Sequence, residues 1–324
     1  MIRYLLLLVT VIFFALNMGA SGIAPSFAAA YGGRLIKRKV ALLLFTVCVV
    51  LGAVLLGHHV SVTLGKGLLP ADFLHFDTAL IILAASSLSL FLANSLKIPQ
   101  STSQVTVSAI VGAGLYYHHL HLKTLFLKII PAWIILPCVS FLCTLAVCRR
   151  VYPPRHGNLR IYEKIFVHEK KMKLVALLVS GYVAFAIGSN NVANAVGPLF
   201  GAGIMGIAPG LLFISPLFGL GAWVLGRGTL ETAGKEIVPL GVVTSTLTSF
   251  VTATLLIIAS LWGIPQSLVQ LNIFSLFAIS CLKNGHKNTF ELHLTRKTFL
   301  VWLVTPLLSI AVSYLLLFLV NKFT

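Results

Sequence analysis

The chain has 324 residues, of which 58% are hydrophobic and only 10% charged, against about 25% charged in an average soluble domain. That balance excludes a soluble globular protein and defines a polytopic protein of the cell membrane. Lys and Arg total 24 against 7 Asp and Glu, yet most of them fall in short loops between apolar runs, without interleaved aromatics, a pattern set by membrane orientation and not by nucleic-acid binding.

Arg3, followed by Leu5 to Ala15 and the small residues Gly19, Ala20 and Ser21, has the outline of a secretory signal. The same pattern recurs from Lys173 to Asn194, where no signal can act, so the first segment is expected to be retained. Runs long enough to cross a bilayer, about 20 apolar residues each, cover Tyr4 to Tyr31, Val40 to Gly57, Thr78 to Ser95, Pro99 to Tyr117 and Thr124 to Cys148. The second half repeats the count at Leu174 to Gly201, Ile207 to Gly226, Val238 to Leu261, Ile264 to Leu282 and Thr298 to Val320. An odd number per half predicts two inverted repeats, residues 1–148 and 174–324, joined by a basic linker over 149–173.

The repeat is also legible residue by residue. Gly19-Ala20-Ser21 aligns with Gly188-Ser189-Asn190 at an offset of 169, which also carries Leu56-Gly57 onto Leu225-Gly226 and Gly65-Lys66 onto Gly234-Lys235. Ile98-Pro99-Gln100-Ser101 recurs as Ile264-Pro265-Gln266-Ser267 at an offset of 166. Lys and Arg concentrate in the linker and in the loops containing Arg34 to Lys39 and Lys283 to Lys297, which places those loops inside the cell and both termini outside. A re-entrant hairpin in place of Thr78 to Tyr117 leaves this parity unchanged.

Two stretches are wrong for lipid. Gly188-Ser189-Asn190-Asn191-Val192-Ala193-Asn194 and Gly19-Ala20-Ser21-Gly22 interrupt their apolar runs, and polar groups at membrane depth persist only where they are buried in protein or line a wet cavity. Pro99-Gln100-Ser101-Thr102-Ser103-Gln104 and Pro265-Gln266-Ser267-Leu268-Val269-Gln270 read as helix starts, with Pro in the first turn. Their free N–H groups and hydroxyls form an anion cradle. Four half-helix ends are thus expected to converge on a small anion, two at the Gly breaks and two at the Pro turns.

Other readings compete at several positions. Gly19, Gly22, Gly188 and Gly197 also suit close helix packing. Ser86, Ser87, Ser89, Thr244, Ser245 and Thr246 are expected to bond back to their own helices. The His residues read as solvated loop groups. The five Cys lack a disulfide framework or metal spacing and read as packing residues, and no cofactor is implied. A membrane enzyme should gather acids, His or Cys at one membrane face, and the sequence has no such cluster; a scaffold gives paired polar breaks no purpose.

These residues resemble the inorganic phosphate transporter (PiT) family, whose signature is a glycine-small-asparagine-aspartate-valine-alanine-asparagine-alanine run in each half. Gly188 to Ala195 matches it, Pro99-Gln100-Ser101-Thr102 begins the family's later proline-serine-threonine turn, and Gly226 to Lys235 resembles a further family block. The family aspartate is replaced by Asn191 and Gly22, and the histidine of the turn by Gln104 and Gln270. With Asn17 to Pro25, this pattern resembles the CysP-type sulfate permease branch.

The resemblance implies a sulfate importer coupled to a cation, proton or sodium, working by alternating access, with a homodimer plausible. Phosphate and thiosulfate are the alternative substrates. Sulfate at neutral pH carries no proton and takes only donors, which a neutral site supplies. Gly19, Ala20, Ser21, Gly22, Ser189, Asn190 and Asn191 are assigned to the anion together with Ser101, Thr102, Ser103, Gln104, Ser267 and Gln270. Asn17, Asn194 and Glu231 are assigned to coupling or gating; Asn194 could instead orient its own break, and Glu231 also reads as a surface charge beside Arg227 and Lys235.

Overall fold

The computed structural model describes residues 1–95, 100–151, 157, 159, 163, 167–226, 230, 241–285, 289 and 293–323. Its described residues form helices and no strand. In the first half these are α1 (Ile2–Gly32), α2 (Arg38–Leu56), the short α3 (His58–Val62), α4 (Phe76–Ser95), α5 (Thr102–Tyr116) and α6 (Ile130–Val151). The second half contains α7 (Glu169–Asn191), α8 (Ala193–Gly201), α9 (Ile207–Val224), α10 (Val242–Leu261), α11 (Leu268–Asn284) and α12 (His293–Phe323).

Eight helical stretches among the described residues are long and apolar enough to cross a membrane, and the protein is a multi-pass membrane protein. α5 and α11 fall short. The 15 residues of α5 rise about 22 Å, against a hydrocarbon core of about 30 Å. The Thr78 and Tyr117 hydroxyls meet at 2.9 Å, joining the start of α4 to the end of α5. The pair is therefore a helical hairpin whose inner end starts at the buried Gln100 and Ser101.

The packing is reciprocal. α1 lies against α9 and α2 against α7; α5 lies against α12 and α6 against α11. A methyl group at Gly19 would fall on the Phe218 carbonyl oxygen, and one at Gly188 on that of Val49. Gly52 meets the Phe185 carbonyl and Gly221 that of Leu16 in the same way. Each member of one contact lies 169 positions from its counterpart in the other. Elsewhere, Ser140 Oγ donates to the Leu271 carbonyl at 2.9 Å and Ser309 Oγ to that of Val105 at 2.7 Å.

The Gly-rich stretches differ from expectation. α1 runs through Gly19 to Ser26 without a break and carries Pro25 inside it. Ser21 donates to the Met18 carbonyl and Ser26 to that of Gly22, both at 2.9 Å, so the hydroxyls turn back onto the helix and no end is exposed. Asn17 likewise donates to the Phe13 carbonyl at 2.9 Å. In the second half the interruption is one residue, Val192, itself helical at φ −61° and ψ −33°. The residues expected to bond back do so at Ser86, Ser245 and Thr246, whereas the buried Ser87 and Ser89 hydroxyls have no partner among the described residues.

Candidate functional site

α5 and α11 begin in the protein interior with the same device. Ser101, extended at φ −86° and ψ 119°, accepts from the Gln104 N–H at 3.2 Å; Ser267, at φ −87° and ψ 107°, accepts from the Gln270 N–H at 3.1 Å. Each serine is an N-cap and satisfies one of the N–H groups that a helix start leaves unpaired. Ser101→Ala and Ser267→Ala are each expected to cost about 1 kcal/mol of stability, read as a fall of about 2–4 °C in thermal midpoint.

Asn190 ties the two helix starts together. Its Nδ2 donates to Ser260 Oγ and to the Ile264 carbonyl, both at 3.0 Å, and its Oδ1 accepts from the Gln266 N–H at 3.0 Å and lies 3.5 Å from Ser103 Oγ. A carboxamide has two N–H donors, and both of those of Asn190 are taken, so it has none left for an anion. Ser189 donates to the Ala186 carbonyl at 2.8 Å and meets Ser260 Oγ at 2.9 Å. Ser103 donates to the Gln266 carbonyl at 3.1 Å. Asn194 donates to Thr102 Oγ1 at 3.2 Å and Ser103 Oγ at 3.3 Å. Thr102 accepts there, and its own O–H stays free to donate.

Beside this network lies a small hollow of about 30 Å³, enough for about two waters. α1 contributes Ser21, Gly22 and Pro25, the approach to α5 contributes Gln100, Ser101 and Thr102, α7 contributes Ile187 and Asn191, and α11 contributes Leu268 and Val269. No charged side chain lines it. Among the described residues Gln100 Nε2 and Asn191 Oδ1 are buried without partners, and a carboxamide turned through 180° exchanges its acceptor for a donor. The buried Gln104 Oε1, Gln270 Oε1, Asn194 Oδ1 and both carboxamide atoms of Gln266 are also unpaired. Such groups at membrane depth mark a functional centre.

Of the residues expected from sequence, the hollow brings together Ser21, Gly22, Ser101, Thr102 and Asn191. Gly19 and Ala20 sit within continuous α1, where their N–H groups serve the helix ladder, and Gly19 is a packing contact with α9. Ser189, Asn190, Ser103 and Asn194 form the supporting network, and Ser267, Gln104 and Gln270 build the helix starts. Glu231, Arg227 and Lys235 lie outside the described residues. Sequence reasoning missed Gln100, whose recurrence as Gln266 was a usable signal, and Ser260, a lone serine ending an apolar run with nothing to mark it.

Among the described residues, eight apolar helices long enough to cross a membrane, with α5 and α11 beginning between them, surround a polar, uncharged centre, the arrangement of a membrane transport protein. The model of the phosphate transporter family matches residues 18–153 and 158–313, and the chain belongs to that family. It is 42% identical over 316 residues to the sulfate permease CysP of Bacillus subtilis, covering 96% of this chain and 86% of the relative. A putative phosphate permease of Thermococcus kodakarensis is 25% identical, with 95% and 96% covered. Among solved structures, a sodium-dependent phosphate transporter superposes with a TM-score of 0.83 at 22% identity, covering both chains fully. That likeness concerns the fold.

Proposed function

We propose that the protein imports sulfate by cation-coupled alternating access, with the anion seated in the hollow between α1, α5, α7 and α11. The observation that carries this reading is the lining: free or reorientable donors from Gln100, Thr102 and Asn191, and no carboxylate to repel a dianion. The 42% identity to a sulfate permease supports sulfate over phosphate. The reciprocal glycine contacts support the inverted-repeat reading, with halves 1–148 and 174–324 about the linker 149–173. Both termini are placed outside on the distribution of Lys and Arg, and a homodimer is part of the proposal on family grounds.

Coupling follows from energetics. Each negative charge moved inward against 100 mV costs about 2.3 kcal/mol, so a dianion costs about 4.6 kcal/mol. At least two cations must therefore accompany it. The cation is sodium, whose ligands would be carbonyl and hydroxyl oxygens, or a proton. Purified protein in proteoliposomes is expected to accumulate labelled sulfate under an inward sodium or proton gradient, and the effective gradient identifies the ion. Accumulation should persist under excess phosphate. Phosphate uptake that abolishes sulfate uptake would overturn the assignment.

A further inference from the structure

The two helix starts are built to one plan, yet their surroundings differ. At α11, the Gln266 N–H is taken by Asn190 Oδ1 at 3.0 Å. At α5, no acceptor among the described residues meets the Gln100 N–H; the position equivalent to Asn190 is Ser21, whose shorter side chain turns back to the Met18 carbonyl at 2.9 Å. The residues after the caps diverge as well: Thr102 and Ser103 follow Ser101, whereas Leu268 and Val269 follow Ser267. Leu268 and Val269 line the hollow with apolar side chains, while Gln100, Ser101 and Thr102 line it with side chains that can donate. Gln100 is 3% exposed, and its Nε2 has no partner among the described residues.

We infer that the anion is held off the internal two-fold, by the α5 start and not by the α11 start, and that Asn190 with the Leu268 and Val269 wall closes the equivalent α11 cradle to it. This rests on the reading of the hollow as the anion site. Asn190 occupies its cradle as a built-in substitute for an anion: its carbonyl oxygen takes the backbone N–H that an oxyanion would otherwise take. Replacement of Asn190 by Ser21 in the first repeat leaves the cradle beside α1 empty. Asn194 is then a positioning residue. By donating to Thr102 Oγ1 it turns the threonine proton toward the hollow.

The matched caps make this testable. Ser101 and Ser267 have the same capping geometry, so their alanine variants carry equal structural costs, and any difference in anion affinity belongs to the site. In proteoliposomes supplied with labelled sulfate, Ser101→Ala is expected to raise KM at least tenfold relative to Ser267→Ala. Ser21→Asn, which places at α5 the carboxamide that closes α11, is expected to reduce uptake at least fiftyfold while retaining a wild-type elution volume.

Equal KM values for the two cap variants, with sulfate still accumulated by the wild type, overturn the one-sided site and leave the sulfate reading intact. A wild type that carries phosphate in place of sulfate, with the tenfold difference preserved, overturns the sulfate reading and leaves the one-sided site standing. Transport of neither anion removes both. Should Ser21→Asn fail to fold, the cap pair alone decides.

Discussion

Gly188→Ala is expected to lower the thermal midpoint by at least about 5 °C and to broaden the elution profile of the purified protein. Inside a helix the same change ordinarily stabilises by about 1 kcal/mol, because alanine loses less backbone entropy than glycine. Here the sign reverses. The new methyl group falls on the Val49 carbonyl oxygen, which belongs to the backbone of α2 and cannot rotate away. α2 and α7 must separate, losing van der Waals contact along their length, and overpacking of this kind costs about 1–3 kcal/mol or more. Without a hydrophobic drive between helices in lipid, close contact at small residues supplies much of the association. Gly19→Ala, against the Phe218 carbonyl, should behave alike, whereas Gly157→Ala, with none of the described residues within 4 Å, should change the midpoint by no more than about 1 °C. A Gly188→Ala protein as stable as the wild type would show that α2 and α7 can part freely.

Those glycines also show what the sequence could carry. The offset of 169 that pairs Gly19 with Gly188 also pairs their contact partners Val49 and Phe218, because residues facing one another across an internal symmetry repeat at the same spacing. The short α5 and α11 were visible through their Pro-Gln-Ser starts, since proline and a capping hydroxyl are local signals. The continuity of α1 was not. Gly, Ser and Pro at membrane depth fit both an opened helix and a closed one whose hydroxyls bond to carbonyls three or four residues back, and Ser21 and Ser26 take the second course. The role of Asn190 was hidden for a different reason. Its partners Ser260, Ile264 and Gln266 lie 70 to 76 residues away, and three polar residues in five positions cannot say which of them faces an anion and which one holds the helices.

Asn190→Leu separates those two roles. The substitution keeps the branching of the side chain at a larger volume and removes every hydrogen bond of the carboxamide, leaving the Gln266 N–H and the Ile264 carbonyl unpaired in the protein interior. Interhelical hydrogen bonds in membrane proteins average about 0.6 kcal/mol each, so the bonds lost set a floor near about 2 kcal/mol. Orphaned buried groups cost about 1–3 kcal/mol apiece, which brings the expected loss to about 2–4 kcal/mol. In uptake assays the variant should show a lowered maximal rate, because the α11 start is no longer fixed to α7. The KM for sulfate should move by less than about threefold, because Asn190 has no donor left for the anion in the wild type. Asn191→Leu should do the reverse: its carboxamide lines the hollow without a hydrogen bond among the described residues, so its removal costs little stability and raises KM about tenfold. A tenfold rise in KM for Asn190→Leu at unchanged stability would instead make Asn190 a direct ligand, and the hydrogen bonds seen here would have to open when the anion binds.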